Sequence, residues 1–326
     1  MKKCHQLYKE ILRFLETHDN YLITAHMNAD GDAYGAALAM GYFLQKMSKN
    51  YRIIFHDREK EEKYNYLWGW KQIEPFEKHV SQSFDAAVLV DVPSKKRIGD
   101  PAELLPAPEK CLKIDHHPDE EYFADLNLID THASSTCQLV YEIVSRSSVK
   151  MTHDLAVLLF SGIMYDTGRF SFSNTRSRDF EIAAHLATYR VNPSEIANYL
   201  FYSNSIESYK IIGYGLMNME TRLDGKVCII QLPYEIMKEA KNLDIEELTN
   251  YSLAVKGVEV GLFIRQVETD FVKVSFRSKG KVDVNTVARV FDGGGHIHAA
   301  GCRTNGDPDE LKEKILREIE KQLTSE

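Results

Sequence analysis

Short apolar runs typical of strands alternate with helical patterns through the first half of the chain. The predicted strands lie at residues 21–25, 51–56, 86–90 and 112–114. The predicted helices lie at residues 36–46 and 136–145. Because strands that alternate with helices pair in parallel, this half of the chain predicts a doubly wound, mainly parallel sheet of the α/β class.

The second half predicts more helices and then a new set of strands. Helical patterns lie at residues 154–163 and 179–188, and another runs from Asn192 towards Met219 with a break near residues 203–205. Strands follow at residues 226–232, 257–266 and 271–277, and helices at 285–291 and 308–323. Since 326 residues exceed the usual size of one core, we predict a first domain at 1–190, a helical connector at 191–215, and a smaller α/β domain with a mixed sheet at 216–326.

Composition and charge argue against several classes of protein. No apolar run approaches the ~20 residues that cross a bilayer, and the charged amino end lacks the apolar core of a secretory signal. We therefore expect a cytoplasmic protein without membrane contact. The five cysteines are odd in number and widely scattered, which favours reduced thiols over a disulfide framework or a zinc site. The net charge of −8 argues against a basic surface that binds long duplex nucleic acid.

Polar side chains follow three of the predicted strands directly. His26, Asp91 and Asp115 each come one residue after a predicted strand ends. Ligands of doubly wound sheets bind beyond the carboxyl ends of the strands. The sequence therefore predicts that these three side chains meet at one edge of the sheet.

Acidic and imidazole groups near these positions suit divalent cations. His26, Asp30 and Asp32 lie within seven residues, and we interpret Gly31 as the residue that lets the neighbouring carboxylates of this loop turn to a common centre. His116 and His117 directly follow Asp115, and Asp166 follows a predicted helix. Imidazole together with carboxylate favours a borderline ion, with Mn²⁺ first and Mg²⁺ or Co²⁺ as substitutes. Two such cations about 3.5–4 Å apart are typical of phosphoester hydrolysis.

Each motif taken singly also has a structural explanation. Aspartate beside glycine is common in turns, Asp166 suits the cap of a turn, and Asp91 suits a partner such as a helix N-terminus. The set as a whole is much harder to explain by turns and caps alone.

In its motifs the chain resembles the DHH phosphoesterase family, which is named for the triplet seen here at residues 115–117. The other motifs match in order: His-x-x-x-Asp-x-Asp at 26–32, Asp91 followed by Arg97, and Asp-Thr-Gly at 166–168. The Gly-Gly-Gly-His run at 293–296 is similar to the signature of the DHHA1 domain that accompanies this family, except that Asp292 stands where a small residue is expected.

The resemblance implies roles for individual residues. His26 and Asp30 would hold one Mn²⁺, and Asp32, His116 and Asp166 the other. Asp91 would bridge the two ions, His117 would lie beside the scissile phosphate, and Asp115 would orient the histidine pair. Whether His117 acts as a general acid or as a phosphate ligand stays open.

A second set of residues is assigned to the substrate. The backbone at Gly293, Gly294 and Gly295 would approach an anion closely, with His296 and Arg277 fixing a terminal phosphate. Arg97 is a further phosphate contact, or simply a solvated arginine. The aromatic residues considered for base stacking, most of them more typical of packing, are Phe170, Phe172, Tyr202 and Tyr209.

The branch of the family with these features hydrolyses very short oligoribonucleotides to mononucleotides and dephosphorylates 3′-phosphoadenosine 5′-phosphate (pAp) to AMP. We therefore expect a Mn²⁺-dependent two-metal phosphoesterase with these substrates. A homodimer is a possible assembly. The alternatives are a phosphodiesterase of cyclic or linear dinucleotides, such as cyclic di-AMP or pApA, and a catalytically inactive nucleotide-binding module.

Overall fold

The computed structural model describes residues 2–77, 83–118, 121, 123–240 and 243–324, with side chains from residue 6 onward. Cys4 therefore lies outside the described side chains, while Cys111, Cys137, Cys228 and Cys302 are free and buried thiols. The chain forms two compact units, Met1–Ser203 and Asn204–Glu326. The division between them falls within the predicted connector at residues 191–215.

The first unit contains six strands and seven α-helices among the described residues. The strands are β1 (Tyr21–Thr24), β2 (Tyr51–Phe55), β3 (Ile73–Pro75), β4 (Ala86–Val90), β5 (Cys111–Asp115) and β6 (Leu126–Ile129). The helices are α1 (Lys2–Thr17), α2 (Gly31–Lys46), α3 (Lys95–Ile98), α4 (Thr136–Val144), α5 (His153–Asp166), α6 (Ser177–Ala187) and α7 (Pro193–Phe201).

All six strands of this unit pair in parallel, in the order β3-β2-β1-β4-β5-β6. From β1 the chain builds outward to β2 and β3, and from β4 it builds outward in the opposite direction. The strand order therefore reverses between β1 and β4, which is the switch point where ligands of doubly wound sheets bind. The predicted fold class is confirmed.

Two apolar cores cover the two faces of this sheet. Alternate residues of one strand enter different cores: Val88 belongs to a large core formed with α2, α4 and α5, whereas Leu89 belongs to a smaller core on the other face. Helix α2 is buried on nearly every side, and its alanines and glycines permit that close packing. Because both faces are covered, the strand ends are where polar groups reach the surface.

The second unit has a mixed sheet. Its strands are β7 (Glu220–Arg222), β8 (Val227–Leu232), β9 (Val260–Glu268), β10 (Phe271–Ser278), β11 (Gly294–His296) and β12 (Ala299–Asn305). Its helices are α8 (Ile206–Met217), α9 (Tyr234–Glu239), α10 (Glu247–Ala254), α11 (Val284–Arg289) and α12 (Pro308–Leu323). The order is β11-β12-β10-β9-β8-β7, and only β8 and β9 pair in parallel among these strands.

Burial alternates along β10, as expected for an antiparallel strand with one face on a core. Val272, Val274 and Phe276 pack into an apolar core with Leu311 and Ile315 of α12. The alternate residues Lys273, Ser275 and Arg277 point to the opposite face. This face can therefore carry cationic groups along the length of a strand.

Several predicted elements differ from the observed ones. The helix predicted at residues 36–46 begins at Gly31, because Asp30 caps it by accepting hydrogen bonds from the N–H groups of Asp32 and Ala33. The expected break near residues 203–205 separates α7 from α8. Strands β3, β6, β7, β11 and β12 were not predicted, and neither were helices α1, α3, α9 and α10. Among the described residues, every helix is too short or too polar to span a bilayer.

Candidate metal centre

Two adjacent strands place the first pair of polar side chains. His26 follows β1, Asp91 follows β4, and these strands lie on either side of the switch point. His26 is 8% exposed and Asp91 1% exposed. The Nε2 atom of His26 lies 3.3 Å from Oδ2 of Asp91. The predicted meeting of strand-end side chains is therefore present at this edge.

Helix α2 positions Asp30 and Asp32 at its first turn. Oδ1 of Asp30 lies 3.9 Å from Nε2 of His26, and Asp32 is fully buried. Gly31 has a different role from the one predicted, because it lies within the helix rather than in a loop that relaxes the backbone. A Cβ atom at Gly31 would lie 2.5 Å from Cγ of Tyr165, so close packing against that ring requires glycine.

Strand β5 ends at Asp115 and delivers the two histidines. Nε2 of His116 lies 3.5 Å from Oδ1 of Asp91 and 3.0 Å from Oδ2 of Asp166, the last residue of α5. Nδ1 of His117 lies 2.9 Å from Oδ1 of Asp115, which also accepts the backbone N–H of His117. Asp115 thus holds His117, while His116 faces the carboxylates.

Asp91 lies at the centre of this arrangement and has an unusual backbone conformation. Its φ is +59°, in the left-handed region that non-glycine residues seldom occupy. Oδ2 faces His26, whereas Oδ1 faces His116 and lies 3.3 Å from Nδ1 of His117. Aspartate tolerates this conformation better than most residues, but residues that adopt it still cluster at functional sites, where the surrounding structure holds them in place.

The N-terminus of α4 contributes contacts that the sequence analysis missed. The backbone N–H groups of Thr136 and Cys137 donate to the two carboxylate oxygens of Asp32, at 2.6 and 2.9 Å. The hydroxyl of Thr136 also donates to Oδ1 of Asp91 at 3.1 Å. The available signal was Ser135 directly before a predicted helix, because Ser135 caps α4 and α4 begins at the same sheet edge.

A buried lysine beside the histidine pair was also missed. Lys113 is fully buried in β5, and its Nζ donates to the carbonyl of Pro93 at 3.1 Å. The same Nζ lies 3.7 Å from Oδ2 of Asp115. A lysine within an apolar strand is the sequence signal, since a buried cation needs an acidic or carbonyl partner.

Burial and neighbouring charges shift the pKa values of several side chains in the site. Burial raises the pKa of Asp30 to about 6 and that of Asp32 well above its usual range, and nearby carboxylates add to both effects. Burial opposes the charge on His26, yet its bond to Asp91 and the charge of Asp30 raise its pKa to about 9. Burial acts against the charge of Asp91 too, but His117 and His26 hold its pKa well below the usual range.

The donor set fits divalent cations. His26, Asp30 and Asp91 offer one imidazole nitrogen and two carboxylate oxygens within 4.8 Å of one another. Asp32, Asp91 and His116 offer the same combination within the same distance. Both groups include Asp91. Mixed nitrogen and oxygen ligands of this kind suit borderline divalent ions, whose charge would offset the cost of burying several carboxylates together.

The predicted substrate residues lie in both units. Arg97 is exposed on α3, and the carbonyl of Arg97 accepts the backbone N–H of Met27 next to His26 at 2.7 Å. Arg277 and His296 are half-buried on β10 and β11 of the second unit. Their role in phosphate binding stays a prediction.

The triple glycine has a packing role. A Cβ atom at Gly293 would lie 2.3 Å from the carbonyl oxygen of Gly301, and the N–H of Gly293 donates to Ala288. Any backbone contact with phosphate is therefore left to Gly294 or Gly295. Asp292 has a φ of +55°, a conformation that aspartate tolerates better than most residues, which explains why it fits before the glycines.

Two family models match the chain. The model described as the DHH family, N-terminal domain, matches residues 20–163, and the DHHA1 domain matches residues 224–325. All of the predicted metal ligands except Asp166 lie within the first match, and Arg277 and the glycine run lie within the second.

The chain is also similar over most of its length to three bacterial proteins. It is 29% identical to the bifunctional oligoribonuclease and PAP phosphatase NrnA of Bacillus subtilis, covering 90% of this chain and 92% of that protein. It is 30% identical to the probable bifunctional oligoribonuclease and PAP phosphatase NrnA of Streptococcus mutans, covering 91% of this chain and 93% of that protein. A crystal structure of an exopolyphosphatase-related protein from Bacteroides fragilis superimposes with a TM-score of 0.88 at 25% identity, covering 97% and 96%.

Proposed function

The chain belongs to the DHH family, and from this premise we propose that it is a Mn²⁺-dependent enzyme that degrades very short oligoribonucleotides to mononucleotides and dephosphorylates pAp to AMP. At the coarser level it is a divalent-metal-dependent hydrolase of phosphoester bonds. The finer substrate assignment is supported by the names of its relatives in Bacillus subtilis and Streptococcus mutans, which include both activities.

The observation that carries the proposal is the position of Asp91. Its two carboxylate oxygens face different groups of donors, and both candidate metal groups include it. We assign His26 and Asp30 to one ion, Asp32, His116 and Asp166 to the other, and Asp91 to both. The chemistry that such a pair of cations supplies when bound is activation of water and neutralisation of charge on the phosphoester.

The remaining residues of the centre orient the metal ligands or contact the substrate. Thr136 and the N-terminus of α4 fix the carboxylate planes of Asp91 and Asp32 through hydrogen bonds. Asp115 engages Nδ1 of His117, so the contact of His117 with a substrate oxygen runs through Nε2. The pH dependence of kcat separates proton donation by His117 from simple phosphate binding.

In the second unit we assign Arg277 and His296 to the terminal phosphate of the substrate. The planar guanidinium of arginine matches the geometry of a phosphate. On this assignment residues 1–190 form the catalytic domain and residues 216–326 the substrate-binding domain. A grip on the chain end would favour substrates of only a few nucleotides.

The test is product analysis with defined substrates and measured metal content. We expect Mn²⁺-loaded protein to release mononucleotides from a labelled RNA trinucleotide and AMP from pAp. Rates should fall as the RNA is lengthened. Equal rates on long and short RNA would contradict the short-substrate assignment.

The same assay separates the alternatives. Cyclic di-AMP lacks a terminal phosphate, so rapid cleavage of it with little turnover of pAp would favour a cyclic dinucleotide phosphodiesterase. Nucleotide binding without turnover of any of these phosphoesters, with Mn²⁺ bound, would favour an inactive binding module.

A further inference from the structure

The segment that follows Asp166 has a strained backbone. Gly168, Arg169 and Phe170 are consecutive left-handed residues, with φ of +53°, +63° and +62°. The N–H of Arg169 donates to Met164 at 2.9 Å, and that of Phe170 donates to the hydroxyl of Thr167 at 3.1 Å. Left-handed backbone is costly for residues with a Cβ, and strain of this kind is concentrated at functional sites.

The strained segment brings Arg169 against two aromatic rings at the end of α7. The guanidinium carbon lies 4.7 Å from the ring centroid of Phe201 and 5.6 Å from that of Tyr202. One guanidinium nitrogen also donates to the hydroxyl of Tyr202 at 3.1 Å. Phe201 in turn stacks on Tyr165, with an interplanar angle of 13°. These contacts hold the guanidinium group beside the ring of Tyr202.

Tyr202 remains largely uncovered in this arrangement. Its side chain is 57% exposed, although it has a large apolar ring. Phe170, by contrast, packs between Phe160 and Phe180 with ring centroids 6.0 and 5.4 Å away. Of these two aromatics, Tyr202 is the one that has a ring available for a ligand.

An exposed ring beside a fixed guanidinium suits a planar ligand. Nucleobases stack on aromatic rings and on arginine planes, and these contacts tolerate different bases. Arg169 comes three residues after Asp166, whose carboxylate lies 3.0 Å from His116 in the candidate metal centre. A nucleotide whose phosphate reaches this centre would have its base within reach of the same segment.

We propose that Arg169 and Tyr202 form a nucleobase-stacking subsite. The inference rests on the proposed function, because it assumes a substrate that carries bases. It extends that function by assigning base recognition to the first unit, whereas the terminal phosphate is assigned to the second. The subsite binds the base and takes no part in the chemical step.

The test compares two ligands that share a ribose phosphate. AMP carries a base and ribose 5-phosphate does not, so the ratio of their dissociation constants on the Mn²⁺-loaded protein isolates the contribution of the base. We expect AMP to bind ~5- to ~150-fold more tightly, the range that one stacked base provides. Tyr202→Ala should bring the ratio close to one. Tyr202→Phe, which keeps the ring, should retain most of the wild-type ratio of dissociation constants. Arg169→Ala should lower this ratio.

Tyr214 provides the matched control, since it is an exposed tyrosine (37%) on α8 in the other unit. Tyr214→Ala should leave the ratio unchanged. A wild-type ratio near one, or an unchanged ratio in Tyr202→Ala, would overturn the subsite. Because this binding assay requires no turnover, failure of the wild-type protein to cleave pAp or the trinucleotide would instead count against the proposed function alone.

Discussion

Strand β4 of the first unit is buried along its whole length, whereas β10 of the second unit buries every second residue. In the first unit, polar groups are therefore gathered at the strand ends, where His26, Asp91 and Asp115 meet. In the second unit, Lys273 and Arg277 lie along one face of β10, whereas its alternate residues enter an apolar core. A strand that is buried on both sides leaves polar groups to its end, and a strand with one side in an apolar core can carry them along its length.

The acidic groups of the two units also differ in their electrostatics. Burial raises the pKa values of Asp30 and Asp32 in the first unit. Partial desolvation acts in the same direction on Glu246 in the second unit, although half of its side chain is exposed, but the charges of Arg265 and Lys273 lower its pKa to about 2. A bound cation would offset the charge of the carboxylate cluster in the first unit, whereas Glu246 in the second unit lies beside the cationic side chains of Arg265 and Lys273.

The largest effect should come from Asp91→Asn. The amide lowers the negative charge between the two proposed cations, so we expect kcat to fall by more than about 100-fold. This loss exceeds the one usually caused by removing a residue that only hydrogen-bonds to a metal ligand. Steady-state kinetics with added Mn²⁺ would measure it, with circular dichroism to verify folding. Asp85→Asn, an exposed acid before the start of β4, is the control. Near-normal activity of Asp91→Asn would remove Asp91 from the site.

The next effect concerns stability in the presence of metal. If the first unit binds Mn²⁺ only when folded, Mn²⁺ at about 100 times its dissociation constant should raise the free energy of unfolding by about 2.7 kcal/mol. Chelation should reverse the change. Denaturant unfolding should show the effect in Arg277→Ala but not in Asp91→Asn. Equal stabilisation of both variants would place the metal elsewhere.

A smaller effect is expected for Arg277→Ala. Losing one contact to a charged phosphate should raise KM by roughly 10-fold with little change in kcat, because the lost contact binds ground state and transition state alike. Initial rates on trinucleotide and longer RNA would show this, together with a weaker length preference. Arg317→Ala, an exposed arginine on α12, should behave as the wild type. A collapse of kcat alone would disprove the role in binding.

The smallest effect should come from Glu246→Gln. At pH 7 this variant should lower the free energy of unfolding by no more than about 1 kcal/mol, because the Glu246 side chain is 53% exposed and solvent screens its pairing with Arg265. The pKa of Glu246 is depressed in the folded state, so its contribution is present above the unfolded value of about 4.3 and is lost as pH falls towards 2.

Denaturant unfolding at pH 7 and pH 3 would measure the contribution of Glu246. The control is Glu268→Gln, which changes an exposed acid at the end of β9, the strand that carries Arg265. A difference between wild type and Glu246→Gln that grows as the pH falls would contradict the assigned ion pair.

Long elements with regular patterns were predictable from the sequence. The apolar run of β4 and the amphipathic pattern of α12 gave the observed bounds of both elements, Ala86–Val90 and Pro308–Leu323. Strand β12 (Ala299–Asn305) was not predictable, because it consists of small and polar residues and depends on pairing with its neighbours β10 and β11. The start of α2 was misplaced because an Asp-Gly-Asp run resembles a turn until its capping bonds are seen.

Some residues of the site could be predicted from the sequence, and others could not. His26, Asp91 and Asp115 could be placed together because parallel strands end at a common edge. The contributions of Thr136 and Lys113 depend on which element packs beside which carboxylate, and no local pattern encodes that distance. The assignment of individual residues to particular metal ions remains a prediction.

Helix α4 holds Asp32 through hydrogen bonds from main-chain amides, and this affects how the site responds to mutation. Exchanging the side chain of residue 137 for another of similar size leaves its donor in place, so scanning mutagenesis would pass over the interaction. Proline at that position would delete the amide hydrogen itself. Most single-codon changes near residue 137 would therefore leave the orientation of the Asp32 carboxylate unchanged, and altering it requires the loss of an amide hydrogen or a shift of the helix.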